Sequence, residues 1–133
     1  MRRIALVLGI LVGLGLLWFA IQGYAAESGE VVVVRTLDDA EKPQETRLWV
    51  VDDTGNAWIR AGHPGAAWLL RLQVEPEIEI TRGDRTLAVR GIPTPEARER
   101  INALMAQKYG WADRFIGFFF SRDHAVPILL QPR

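Results

Sequence analysis

The sequence predicts a small antiparallel β-barrel with helices at its rim, carried behind one membrane-spanning helix. Three observations predict it. After Arg2 and Arg3 comes an unbroken apolar run, Ile4 to Ile21, 18 residues without a charge or an amide. Beyond it, six short β-branched or alternating stretches are divided by turn clusters. Three helical pieces fall between them, and a sheet in so small a domain protects its edges best by closing on itself.

At about 1.5 Å rise per residue, the apolar run makes a helix roughly 27 Å long, close to the roughly 30 Å of a bilayer's hydrocarbon core. A cleaved secretory signal is the alternative. Its apolar stretch is usually about 7–15 residues, but Gly23-Tyr24-Ala25 sets small residues where cleavage could fall. Gly9 and Gly13, four apart, suit either a second helix or the general frequency of glycine in membrane helices. Arg2 and Arg3 precede the span, and no basic residue follows until Arg35. Positive charge stays on the cytoplasmic side, so a single-pass topology places the domain on the non-cytoplasmic side. The expected division is an anchor or signal segment over residues 1–26 and one domain over residues 27–133, with Gln22 to Glu30 as a polar tether.

Within the domain, Val31 to Thr36 reads as a buried strand by its β-branched run. Asp38 to Gln44, charged and containing Pro43, reads as an exposed loop. Thr46–Val51 and Ala57–Ala61 flank the cluster Asp52-Asp53-Thr54-Gly55-Asn56 as a hairpin. Gly62-His63-Pro64-Gly65 breaks the sheet ahead of a short helix, Ala66 to Gln73, with Trp68 and Leu72 one turn apart. Glu77 to Thr81 alternates as a strand with one wet face, and Arg82-Gly83-Asp84 turns into a fifth strand, Arg85 to Arg90. Thr94-Pro95-Glu96 starts a helix, with a hydroxyl cap, proline at the first position and acid in the first turn. Gly110 is placed to end it. Trp111 to Phe120 is a second, more apolar helix, and Ala125 to Gln131 the last strand.

Composition removes several chemistries. With no cysteine there is no thiolate nucleophile and no cysteine metal site, an absence that suits an oxidising compartment. His63 and His124 lie far apart in sequence, so no metal set is expected, and His63 reads as a loop residue. Removing Arg2 and Arg3 leaves 14 basic against 16 acidic residues, a net charge of −2 with no basic stripe, which argues against nucleic acid. No catalytic residue is assigned. What remains is an aromatic and basic set. Strand periodicity puts Arg47, Trp49 and Val51 on one side of the second strand and Trp58 with Arg60 on one side of the third. Indole faces and guanidinium groups together can hold a flat anionic ligand. The competing reading makes the tryptophans core and the arginines snorkelling surface residues.

Taken in order, Trp58-Ile59-Arg60-Ala61-Gly62, His63-Pro64, Ala67-Trp68, Leu72 and Pro76-Glu77-Ile78-Glu79-Ile80 form a series. Lys108-Tyr109 and Val126-Pro127-Ile128-Leu129-Leu130 continue it. The series resembles the deazaflavin-dependent nitroreductase and quinone reductase family, over about Val31 to Pro132. The resemblance implies a split β-barrel of the flavin-mononucleotide-binding, pyridoxamine-phosphate-oxidase-like kind. It implies deazaflavin or flavin mononucleotide as cofactor, a quinone or nitro compound as substrate, and a homodimer. It implies cofactor contacts at Arg60, Ala61, Gly62 and Trp68, with Arg47 and Trp49 on the adjacent strand. A non-catalytic binding module that keeps the barrel without the cofactor is the alternative. One departure stands out: the family's basic glycine-arginine-lysine-serine-glycine loop is replaced by Leu37-Asp38-Asp39-Ala40-Glu41. Two positive charges become three negative ones, which penalises a polyanionic cofactor tail. The family's reduced deazaflavin is also cytosolic, opposite to the side the arginines assign.

Overall fold

The computed structural model describes residues 1–27 and 29–133, with the backbone alone for residues 22–27. Helix α1 (Arg2–Glu27) is continuous. Its segment Arg2–Ile21 has a mean hydropathy of 2.7, is long and apolar enough to cross a membrane, and is not buried against the protein. The helix runs on through much of the expected tether. Gly23, Tyr24 and Ala25 are helical in backbone, with side chains outside the described residues, as is Ser28 altogether.

Six strands follow: β1 (Val31–Leu37), β2 (Pro43–Asp53), β3 (Asn56–Ala61), β4 (Glu77–Arg82), β5 (Arg85–Pro93) and β6 (Val126–Pro132). They close into a barrel in the order β1-β2-β3-β6-β5-β4, every pairing antiparallel. Val34 sits opposite Thr46 on one side and Ile80 on the other, and Ile59 sits between Val50 and Ile128. The alternate residues Val32, Val34 and Thr36 face inward, while Arg35 and Leu37 are exposed. The valine run is therefore a strand with one buried face rather than two. Pro43 opens β2 opposite Leu37, although it reads as loop in the sequence. A first strand position can do without an N–H, so the ring is tolerated there. At the β2–β3 turn, Thr54 and Gly55 both take positive φ (51° and 84°), the two-residue geometry that matches the strands' twist.

Two apolar clusters hold the domain. The barrel interior joins Val32, Val50, Ile59, Ile80 and Ile128 to Trp68, Leu69 and Leu72 of helix α2 (Ala67–Val74). On the outer wall, Val51, Trp49 and Trp58 pack with Ile101, Met105 and Tyr109 of helix α3 (Arg98–Tyr109). Each large side chain buried contributes roughly 1.5–3 kcal/mol, so these clusters dominate the favourable side of folding. A 3₁₀ turn, Pro95–Ala97, precedes α3. Proline and Glu96 occupy the expected places, but the Thr94 hydroxyl does not cap the helix; it donates to the Ile92 carbonyl at 3.0 Å. Gly110 ends α3, and helix α4 (Trp111–Phe119) turns back to meet both α3 and α1.

Candidate functional site

Alternation along β2 and β3 puts Trp49, Val51, Trp58 and Arg60 on the outer wall, because Val50, Ile59 and Ala61 face the interior. Helices α3 and α4 cover that wall. Between wall and helices lies a cavity of about 160 Å³ lined by Arg47, Leu48, Trp49, Arg60, Gly62, Met105, Ile116 and Arg122. Four of the six residues proposed from the sequence, Arg47, Trp49, Arg60 and Gly62, meet there. The other two do not. Ala61 points into the barrel, and Trp68 is 6% exposed within its core.

The charges around the cavity are arranged by α4. Asp113, buried in the first turn of this helix, accepts from Arg60 Nη2 at 2.8 Å and from Arg122 Nη2 at 3.1 Å. Arg60 also donates to Asn102 Oδ1 at 3.1 Å. One carboxylate therefore serves two guanidinium groups. Burial, and after it the charge of Arg60, lowers the Arg122 guanidinium from its ordinary value. Two lining donors have no partner among the described residues: the buried Trp49 Nε1 and Arg122 Nε. Trp49 stacks on Tyr109 at 4.4 Å between ring centres, 7° from parallel. One indole face is thereby taken.

Asp113, Asn102 and Arg122 went unnoticed in the sequence reading. Asp113 left a signal: it is the only carboxylate in a helical stretch that is apolar apart from it and Arg114, and a buried charge requires a partner. His63 shapes the loop before α2, its Nδ1 accepting the Gly65 N–H at 3.1 Å.

The acidic turn between β1 and β2 is a built structure. Asp38 Oδ1 accepts the N–H groups of Ala40 and Lys42, each at 2.9 Å, and Oδ2 accepts from Gln44 at 3.0 Å. The Lys42 N–H bond, foremost, holds its carboxyl below the usual carboxylate range. This turn borders a separate groove with α2, where Asp38, Asp39, Glu41 and Glu75 face Arg71. Arg71 in turn donates to Thr36 Oγ1 at 2.9 Å. Four carboxylates around one engaged guanidinium do not fit the phosphate end of a deazaflavin or of flavin mononucleotide. The first cavity is also small, since sites for whole drug-sized ligands run about 300–1,000 Å³.

No family model and no curated protein matches this chain. Solved structures do. An F420-H2 dependent reductase (FDR-A) is 20% identical, with 74% of this chain and 92% of that one covered at a TM-score of 0.58. The heme storage protein HutZ from Vibrio cholerae is 14% identical, covering 84% and 87% at 0.60. A chain solved as a domain-swapped dimer is 19% identical, covering 76% and 78% at 0.58. At such identities the likeness is one of fold, and the chain is a six-stranded antiparallel split barrel with flanking helices, preceded by one apolar helix.

Proposed function

We propose that this chain is a membrane-anchored oxidoreductase of the split-barrel kind, taking a quinone or nitro compound in the cavity beneath α3 and α4. The observation that carries the reading is the pair of unpartnered buried donors, Trp49 Nε1 and Arg122 Nε, on two side chains that line one cavity. A buried N–H without an acceptor is costly, and a ring bearing carbonyl or nitro oxygens supplies acceptors. The two guanidiniums sharing Asp113 favour an electron-rich or anionic form of that ligand. In this reading α1 is the anchor, the domain lies on the non-cytoplasmic side, and two copies associate. The F420-H2 dependent reductase and the domain-swapped dimer among the structural neighbours support the class and the pairing.

The resemblance implies a reduced deazaflavin or flavin mononucleotide as electron donor, and the acidic groove is the part of the chain that does not fit it. Flavin mononucleotide, with its single phosphate, conflicts less with the acidic groove than a longer polyanionic tail does. A second reading, a binding module without the cofactor, is favoured by Arg60, whose guanidinium is committed to Asp113 and Asn102.

The two are separated by titrating detergent-solubilised protein with each cofactor and following its visible spectrum, then adding a soluble quinone. Saturable binding coupled to quinone reduction supports the oxidoreductase. Quinone binding with neither cofactor bound supports the module. In either case Trp49→Phe, which keeps an aromatic ring but removes the pyrrole and its N–H, should weaken quinone affinity about three- to tenfold. Unchanged affinity removes the cavity from the proposal.

A further inference from the structure

Helix α4 turns two faces to different surroundings. Ile116 lines the cavity and Asp113 bonds Arg60 and Arg122 beside it, whereas Phe118 and Phe119, and Phe120 just past the helix, are exposed, Phe118 by 84%. Trp111, at the start of the helix, is half exposed. Such aromatic exposure on a small domain needs an apolar partner.

The neighbouring helix identifies one. Trp18 of α1 meets Phe119 edge-to-face at 5.7 Å. Its exposure drops to 38%, against 66% for Leu16 and 70% for Phe19. Trp18 lies three residues before Ile21, where the apolar segment ends. At about 1.5 Å per residue it sits about 4.5 Å inside the span, at the depth where membrane tryptophans collect. Whatever touches Trp18 shares that depth. The apolar surface of α1 and the aromatic edge of α4 are thus continuous.

The geometry points to α4 as an interfacial helix that seats Phe118, Phe119 and Phe120 in the lipid headgroup–acyl boundary beside the anchor. Amphipathic helices of this kind bury their apolar face about 5–10 Å deep, which matches the level of Trp18. The inference rests on α1 being the anchor of the full chain. It adds a second point of attachment, which fixes how the barrel is tilted against the bilayer.

The chain has no cysteine, so single labels can be placed without a background. Phe118→Cys, Leu11→Cys and Asp39→Cys would each carry a nitroxide, in full-length protein reconstituted into vesicles of phosphatidylcholine and phosphatidylglycerol. Asp39 lies in the turn at the opposite end of β1 from Glu30. Collisions with oxygen report lipid, and collisions with a water-soluble nickel chelate report solvent. Oxygen should dominate strongly at residue 11 and moderately at residue 118, with nickel dominating at residue 39. Oxygen dominance at 11 with nickel dominance at 118 overturns the docked helix and leaves the anchor standing. Nickel dominance at both overturns the anchor and the docking together. Shielding of residue 118 from both reagents means a protein partner covers the aromatics, which also overturns the lipid assignment.

Discussion

Asp113 and Glu30 are the residues on which the charges of the domain converge, and they differ in how deeply they lie. Asp113 is buried with Arg60, whose side chain is 5% exposed. Removing one partner of such a pair strands the other, so Asp113→Ala should cost about 3–5 kcal/mol, read as a lower midpoint in denaturant. The double change Arg60→Met, Asp113→Leu should recover part of that loss, since Arg60 is then not stranded while Arg122 still loses its carboxylate. Glu30 is more open. It accepts from Arg82 at 2.8 Å and 2.9 Å and from Lys108 at 2.7 Å. These bonds, Arg82's foremost, lower its pKa from 4.5 to about 2. Its contribution is present in full above 4.5 and is lost as pH falls toward about 2, because only the unfolded chain takes up the proton in that interval. Thermal melts of Glu30→Gln should therefore show a shallower loss of stability between those two values. At neutral pH the variant should be about 1 kcal/mol less stable, a modest figure because the group is partly solvated.

At the scale of elements, Gly91 shows how closely α2 approaches the sheet. A β-carbon there would lie 2.6 Å from Leu72 Cδ1, and Leu72 is fully buried. Gly91→Ala should cost about 1–3 kcal/mol by forcing that helix off β5, visible as a drop in Tm. The strands were legible in the sequence because period-two alternation and turn residues are local signals. Val31–Thr36 and Glu77–Thr81 lie where those signals place them, and the turn expected over Asp52–Asn56 narrows to Thr54-Gly55 between β2 and β3. The Thr94 cap was misread because its hydroxyl had a second acceptor, the Ile92 carbonyl, that composition does not reveal. The candidate cavity was legible by half. Alternation placed Trp49 and Arg60 on one wall, but which helix covers them depends on contacts 42 and 53 residues apart, and periodicity carries no such information. Trp68 was assigned by resemblance, and its depth in the barrel is a matter of how α2 docks.

For the whole molecule, the proposal that α1 anchors the barrel carries a prediction about which side of the membrane the barrel occupies. Arg2 and Arg3 outnumber every basic residue within the next thirty positions, so a reporter enzyme fused after Arg133 should be active when chosen for extracytoplasmic function and silent when chosen for the cytoplasm. The reverse result would invert the proposed topology and bring the barrel to the side where a cytosolic cofactor is made. The first two strands of the barrel are tied to α3 in either case. Tyr109 Oη bonds the carbonyls of Glu30 and Val50 at 2.6 Å each, and Lys108 Nζ bonds the Val50 carbonyl at 2.9 Å. The start of the barrel is thereby clamped to the end of α3.

One helix, α4, supplies Ile116 to the cavity and Phe119 to Trp18. With α1 in a bilayer as proposed, a single partition would separate the lipid from the cavity. A hydrophobic guest arriving sideways from the bilayer would have that one wall to cross and no stretch of open water, so its supply would be governed by how it partitions into the lipid rather than by how well it dissolves.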